Sequence, residues 1–402
     1  MNSPAPRAAY LHIPFCHRRC FYCDFPVVPL GDRADGERSA SIPAYLALLE
    51  GEIAAAPAGP PLSTVYLGGG TPSLLSPAQV ERLLAALARR FGLAPGAEIS
   101  LELDPASFDQ ERLAGYQAAG VNRVSLGGQS FDDAVLAGLG RRHRAADLRE
   151  AIHWLEHARR RGSLRSWSLD LIQGLPGQEL PHWRDQLAQA IASGAPHLSI
   201  YDLILEPGTV FEKRWRRGEL ALPEEDLAAD LMDETAERLA AAGYGRYEIS
   251  NYAHPGHASR HNRVYWSGAG WWGFGMGATS APWGQRLARP RTRQGWEEWL
   301  AAGQTGLEPT PPPGHAGPPL DELLLVGLRR REGVDLPDLA AAAGVGAGEV
   351  AALAERLEPW RARGLLRIEG PRWRLTNPAG MALSNGVLRE ILAWWQERPP
   401  GR

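Results

Sequence analysis

Ala8-Ala-Tyr-Leu-His-Ile-Pro14 is a short β-rich run, and it passes directly into Phe15-Cys16-His-Arg-Arg-Cys20-Phe-Tyr-Cys23. Five more such runs follow: Thr64 to Gly69, Glu98 to Asp104, Arg123 to Gly127, Trp167 to Ile172 and His197 to Leu205, each leading to a turn with Gly, Pro or Asp. Helical patterns fill the intervals. Ser76, Pro77 and Gln79 mark a helix start ahead of Val80, Leu83, Leu84 and Leu87 on one face, in the order N-cap, first turn and capping box. Tyr45, Leu48, Leu49 and Ile53 form a second apolar stripe, and Leu148, Ala151, Ile152 and Leu155 a third. Strands alternating with amphipathic helices specify a parallel sheet with crossover helices. Six repeats predict an α/β fold, a partial (βα)6 TIM-like barrel that stops short of eight. Reactive groups in such barrels gather at the C-terminal ends of the strands, and the cysteine loop follows the first strand directly.

This pattern occupies residues 1–245 and then becomes irregular. Residues 246–308 are rich in Gly and Trp, and 309–319 read as a stiff Pro-rich linker. Residues 320–402 carry two helix-type stripes (Leu323, Leu324, Leu328; Val350, Leu353, Leu357) before two short strands, Gly364 to Ile368 and Trp373 to Thr376. That order resembles a small α+β winged-helix unit, its second helix expected over about Ala347 to Arg363. Because Glu349, Glu355 and Glu358 sit beside Arg356, Arg361 and Arg363 there, the face would repel phosphates, and a DNA-binding role is not expected.

A chain of 402 residues has room for one large core and a smaller one. Its net charge of −3 creates no global field toward nucleic acid or an anionic membrane. The arginine runs 159–161 and 286–293 read as solvated surface, and the single lysine, Lys213, is attributed to base-composition bias. No secretory-type apolar segment opens the chain, and no apolar run of about 18 residues could span a bilayer, so the protein is expected in the cytoplasm.

Three cysteines within eight positions are an odd number on a short loop, which argues against disulfides and for metal. A cubane iron–sulfur cluster usually takes four thiolates. With three, one iron is left open to a substrate. A zinc site of three Cys and one His, with His17 or His12 as fourth ligand, is the alternative reading.

Beyond the loop, Gly68-Gly-Gly-Thr-Pro72, Glu102-Leu-Asp-Pro105, Asn122-Arg-Val-Ser-Leu-Gly-Gly-Gln129, Asp170-Leu-Ile-Gln-Gly-Leu-Pro176 and Tyr247-Glu-Ile-Ser-Asn-Tyr252 stand in order. With Tyr10 to Cys23 they resemble the radical S-adenosylmethionine (SAM) superfamily, in its coproporphyrinogen oxidase-related branch. The resemblance implies a [4Fe-4S] cluster on Cys16, Cys20 and Cys23 and SAM on Tyr10, Gly69, Gly70, Thr71, Glu102, Gln129, Arg141 and Asp170. Individually the residue types suit the task. Glycines admit a ligand close to backbone, carboxylates accept from ribose hydroxyls, and Gln129 and Arg141 could hold ribose or the methionine carboxylate. Asp104 stands where chaperone-type relatives often have Asn.

Within that branch, oxidases carry a further Cys soon after the third, whereas this chain has Cys23-Asp-Phe25. Oxidases also carry a sizeable segment ahead of the loop, and only nine residues precede Tyr10 here. His261-Asn-Arg-Val-Tyr265-Trp266 matches the H-N-x-x-Y-W motif of the HemW family of haem chaperones. The resemblance therefore implies haem as a ligand and a haem-acceptor protein as partner, with respiratory cytochromes as plausible recipients, an electron donor for the cluster, and at most transient membrane association. His261 is the candidate axial ligand, with Tyr265, Trp266, Trp271 and Trp272 as flat apolar surface for the porphyrin. A His beside aromatics is otherwise a hydrogen-bonded structural residue. Oxidative decarboxylation of coproporphyrinogen III is the alternative activity. No catalytic residue is assigned, and whether the protein is an enzyme stays open.

Overall fold

The structure is a computed structural model that describes residues 5–32, 35–303 and 317–397. Most of the linker read at 309–319 lies outside the described residues. Six parallel strands stand side by side in chain order: β1 (Ala8–Ile13), β2 (Leu62–Gly69), β3 (Leu93–Leu103), β4 (Arg123–Gln129), β5 (Ser166–Gln173) and β6 (His197–Asp202). Between them run α1 (Ser41–Ala55), α2 (Pro77–Phe91), α3 (Gln110–Ala118), α4 (Ala145–Arg160) and α5 (Leu180–Ala192). Parallel neighbours require such crossovers, and these build the expected partial barrel.

Its strands obey a period of two with an unusual division of chemistry. Leu11, Ile13, Val65, Leu67, Leu101, Leu103, Val124, Leu126, Leu169 and Leu171 are buried in one core with the helices. The residues alternating with them include Ser100, Glu102, Ser125, Gly127, Ser168 and Asp170, small or ionisable side chains. A parallel sheet covered by helices on both faces reads as continuous apolar runs. Here one face is apolar and the other is kept for a polar ligand.

Local signals account for the helices. The α2 capping box forms as expected, Ser76 accepting from the Gln79 N–H while the Gln79 side chain accepts from the Ser76 N–H. On α1 the buried stripe is Ile42, Tyr45, Leu46, Leu49 and Ile53, with Leu48 turned outward. Three of the four expected residues, Tyr45, Leu49 and Ile53, are therefore in the stripe, and Leu46 takes the place expected of Leu48.

Residues after 245, read as irregular, supply strands to both edges of the sheet. β7 (Gly245–Arg246) and β8 (Asn251–Ala253) extend it antiparallel beyond β6, while β9 (Trp272–Phe274) lies parallel to β1. Trp272 is consequently 1% exposed and stacked on Phe91. It is a core residue and offers no face to a porphyrin, contrary to expectation. Between β8 and β9 runs α7 (Arg260–Trp266), the second labelled helix after β6, following α6 (Glu225–Ala241).

A second core holds the C-terminal unit. It consists of α8 (Leu320–Gly327), β10 (Val334–Asp335), α9 (Leu336–Ala342), α10 (Ala347–Arg356), α11 (Glu358–Ala362), β11 (Leu366–Glu369), β12 (Arg372–Leu375) and α12 (Ser384–Glu397). A three-stranded sheet of order β10, β12, β11 with its helices gives the winged-helix arrangement. The helix expected from 347 to 363 is broken at Leu357, because Pro359 has no N–H to continue the ladder.

Candidate active site

The cysteine loop is held from two sides at the C-terminal mouth of the strands. The Phe21 N–H donates to Leu139 O at 3.0 Å, and the Thr71 N–H donates to Phe15 O at 2.7 Å. A Cβ on Gly70 would come 2.7 Å from the Phe15 carbonyl oxygen, so only glycine lets the Gly69–Thr71 turn lie against the loop. Thr71 Oγ1 donates to Cys16 Sγ at 3.5 Å, and Arg141 Nη1 donates to Cys20 Sγ at 3.6 Å. Burial pushes the Cys16 thiol up to about 12 and raises Cys23 as well. The thiolate forms that bind metal therefore depend on positive charge being supplied to the loop.

Below the loop opens a cavity of about 460 Å³. Cys16, Cys20, Cys23, Gly69, Gly70, Thr71, Glu102, Gln129, Arg141 and Asp170 all line it, so ten of the sequence-predicted residues converge from five strands. Two do not reach it. Tyr10 points its hydroxyl at His12 Nδ1, 2.9 Å away. His261 is 1% exposed and lies deeper in the barrel.

Three buried polar atoms of the lining, Gln129 Oε1, Asp170 Oδ1 and Arg141 Nε, lack a hydrogen-bond partner. Unmet acceptors and a donor directed around one cavity are what a polar ligand satisfies. Gln129 is also the only non-glycine among the described residues with φ in the left-handed region, at 58°. Backbone strain of this kind persists where the surroundings over-determine it. Glu102 accepts from Tyr66 OH and from the Gly69 N–H, both at 2.9 Å. Burial dominates and pushes its carboxyl up to about 7. Asp170 is likewise raised by burial, while its Oδ2 accepts from Ser125 at 2.8 Å.

Asp104, expected from the resemblance to be a departure, has a structural partner. Its Oδ2 accepts from Arg141 Nη2 at 2.6 Å, and Arg141 Nη2 also donates to Gly127 O at 3.1 Å. Burial opposes ionisation of Asp104, but Arg141 and His143 outweigh it and hold the carboxyl well below the usual range. Arg18, Arg19 and Arg142 join Arg141 around the mouth, interspersed with Asp24, Asp202 and Glu206.

These residues fit an iron–sulfur cluster with SAM: three thiols on one loop, arginine N–H groups beside them and unmet polar groups below. Of the two histidines that a zinc site could use as fourth ligand, His17 lines the cavity beside the cysteines and His12 does not. His12 has Nδ1 on Tyr10 OH and Nε2 on Pro26 O, both at 2.9 Å, so its ring is already committed.

Tyr66, Ser125 and Tyr201 also line the cavity and were not anticipated. The signal was the period of two: Tyr66 lies two residues before Gly68, and Ser125 is paired in register with Glu102.

The fold and the thiol-bearing mouth define the chain as a radical SAM protein. Residues 10–187 match the Radical SAM superfamily, and residues 319–383 match the HemN C-terminal domain. A heme chaperone HemW from Synechocystis is 41% identical over 98% of both chains. Those from Mycobacterium tuberculosis (37% identical; 96% of this chain, 95% of that one) and Escherichia coli (38%; 72% and 74%) are also similar. The chain belongs to the HemW family. The solved coproporphyrinogen III oxidase (HemN) of E. coli has the same fold, with a TM-score of 0.78, 98% of this chain and 91% of that chain covered, and 23% identity.

Proposed function

We propose that the protein is a haem chaperone, which binds haem and passes it to an acceptor protein. The observation that carries this is likeness at 41% identity over 98% of both chains to a protein named heme chaperone HemW. In this reading Cys16, Cys20 and Cys23 hold a [4Fe-4S] cluster. When bound there together with SAM, such a cluster would supply one-electron chemistry.

The chain's own groups have separable tasks. Backbone at Gly69, Gly70 and Thr71 receives the amino group of SAM, Glu102 and Asp170 accept from its ribose, and Gln129 and Arg141 hold ribose or carboxylate. Tyr10 contributes indirectly, as a ring behind Tyr66. Haem finds apolar surface at the lip, where Phe25 and Ile204 are 48% and 65% exposed, with Arg18 and Arg19 nearby for its propionates. Ligation by His261 would require its ring to release Thr64 or Tyr265.

The partners are an electron donor and a haem acceptor, of which a respiratory cytochrome is one candidate. No helix among the described residues is long and apolar enough to cross a membrane. We place the protein in the cytoplasm, with at most transient membrane contact. In the C-terminal unit Arg356 is paired with Glu390 and Glu397, and Arg361 with Glu358. Arginines neutralised in this way support docking to protein over nucleic acid.

An anaerobic haem titration of the cluster-reconstituted protein tests the proposal. A saturable absorbance band is expected. A featureless titration, together with decarboxylation of coproporphyrinogen III in the presence of SAM and a reductant, would replace it with the oxidase reading.

A further inference from the structure

The HNxxYW motif is left without a task by the cavity, since His261 does not line it. Its surroundings suggest another use. His261 occupies the layer of the barrel directly beneath the cradle. Its Nδ1 meets Thr64 Oγ1 at 2.9 Å and its Nε2 meets Tyr265 OH at 2.8 Å. Its backbone N–H donates to Glu98 Oε1 at 2.9 Å. Thr64 and Glu98 stand two and four residues before Tyr66 and Glu102 on the same strands, and therefore on the same inner face.

One ring joins the two layers. The phenol of Tyr66 stacks on His261, with centroids 5.3 Å apart and planes 26° apart, and also on Tyr10, at 6.2 Å and 24°. Its hydroxyl donates to Glu102 Oε1. Gly68 leaves the space for this bond, because a Cβ there would fall 2.7 Å from Tyr66 Cε1 and 2.9 Å from Glu102 Oε1. The ring edge that reaches Glu102 is open to the cavity, so stacking from within the barrel is what limits its motion. Burial keeps the His261 imidazole neutral, pushing it down to about 3. Its two ring nitrogens can then serve one as donor and one as acceptor to the two flanking hydroxyls.

We propose that His261 is a positioning residue for the SAM cradle: it backs the Tyr66 ring and so fixes the Tyr66 hydroxyl on Glu102. The inference rests on the reading of the cavity as a SAM site. It gives the motif a role behind the cavity lining, of which His261 is not a part. The same helix, α7, extends the support outward. Asn262 Nδ2 donates to Tyr247 OH at 3.2 Å, and Arg263 Nη2 donates to Glu332 Oε1 of the C-terminal unit at 2.8 Å.

The test uses the full chain, anaerobically reconstituted, with SAM affinity measured by equilibrium dialysis and the reduced cluster followed by electron paramagnetic resonance. His261→Ala should weaken SAM binding about tenfold, the equivalent of losing one aromatic stacking contact. Iron content and the SAM-free spectrum should be unchanged, and the shift caused by SAM should need correspondingly more ligand. His261→Phe, which keeps the ring but neither nitrogen, should recover most of the affinity. Haem titrations of both variants should match the parent. Equal SAM affinity in parent and His261→Ala would overturn the inference, as would a Phe variant no better than Ala. A haem band lost in His261→Ala with SAM affinity intact would return the residue to haem ligation. Failure of the parent itself to bind SAM would instead overturn the reading of the cavity, and the inference with it.

Discussion

Glu102 shows how one buried side chain makes the cradle sensitive to pH. Burial raises its carboxyl to about 7, although Tyr66 and the Gly69 N–H both donate to it. A carboxyl raised above its unfolded value opposes folding increasingly as pH climbs from the ordinary carboxylate range toward 7. On the proposed reading, in which Glu102 accepts from the ribose of SAM, ligand binding runs the other way, because the ionised carboxylate is the stronger acceptor. SAM affinity should therefore rise about tenfold between pH 6 and pH 8, the change expected for one group titrating near 7. Glu102→Gln should bind more weakly and lose most of that dependence. Dialysis at a series of pH values distinguishes the two, and a parent profile as flat as the variant's would remove Glu102 from the ribose contact. The residue type and its place near a strand end were legible in the sequence. Its environment was not, since Tyr66 and Ser125 are ordinary strand residues until the curvature of the sheet turns them inward. For His261 the motif was legible and the burial was not: the ring is enclosed by Thr64, Glu98 and Tyr66, which lie far upstream in the chain.

At the scale of elements, the strand that carries the cysteine loop is braced from behind. Tyr45 OH on α1 donates to His12 O on β1 at 2.7 Å and accepts from the Met276 N–H just past β9 at 3.1 Å. Beside it Glu52 accepts from the Gly275 N–H at 2.8 Å and from Arg289 Nε at 2.9 Å, with the two side chains 0% and 1% exposed, so Arg289 is not the solvated surface expected of the 286–293 run. Breaking such a buried pair from one side leaves a charge uncompensated, at roughly 3–5 kcal/mol. Arg289→Met should lower stability by that amount in urea unfolding at neutral pH, and adding Glu52→Gln should recover part of it. A single variant within about 1 kcal/mol of the parent would show that the pair does not hold β9 to α1. The brace marks where sequence reading stopped. Six strands and their helices announce themselves by a period of two against 3.6, and the capping box fixes the start of α2. Trp272-Gly-Phe274 is too short to show a period, and its partner β1 lies at the other end of the barrel sequence. Its place as an edge strand, and the burial of Trp272, follow only from that long-range pairing.

Taken whole, the molecule holds two large apolar cores and, among the described residues, a small cluster of Leu139, Ile172, Leu175 and Phe211. The barrel core runs from Ala9 to Trp296, while Leu324, Leu353, Leu357, Trp373 and Ile391 belong to the second, with Ile249 packed on it from the barrel side. Between them stand the Glu248 to Arg330 bridge, the Arg331 N–H on Tyr247 O at 3.0 Å and the Arg263–Glu332 pair. The last is 41% and 36% exposed, and an ion pair so wet contributes little. Cooperativity across the junction should therefore be weak. Denaturation of the full chain followed by tryptophan fluorescence should resolve two transitions, since each core carries its own tryptophans and multi-core chains depart from two-state behaviour. Leu353 is 1% exposed in the smaller core, and Leu353→Ala should cost that unit roughly 2–5 kcal/mol through the cavity it leaves. The midpoint of one transition should fall while the other, together with SAM binding by the cradle, stays in place. If both midpoints move together, the contacts of α7 and Tyr247 couple the units more tightly than their exposure implies. The C-terminal unit would then be part of what holds the cradle in shape.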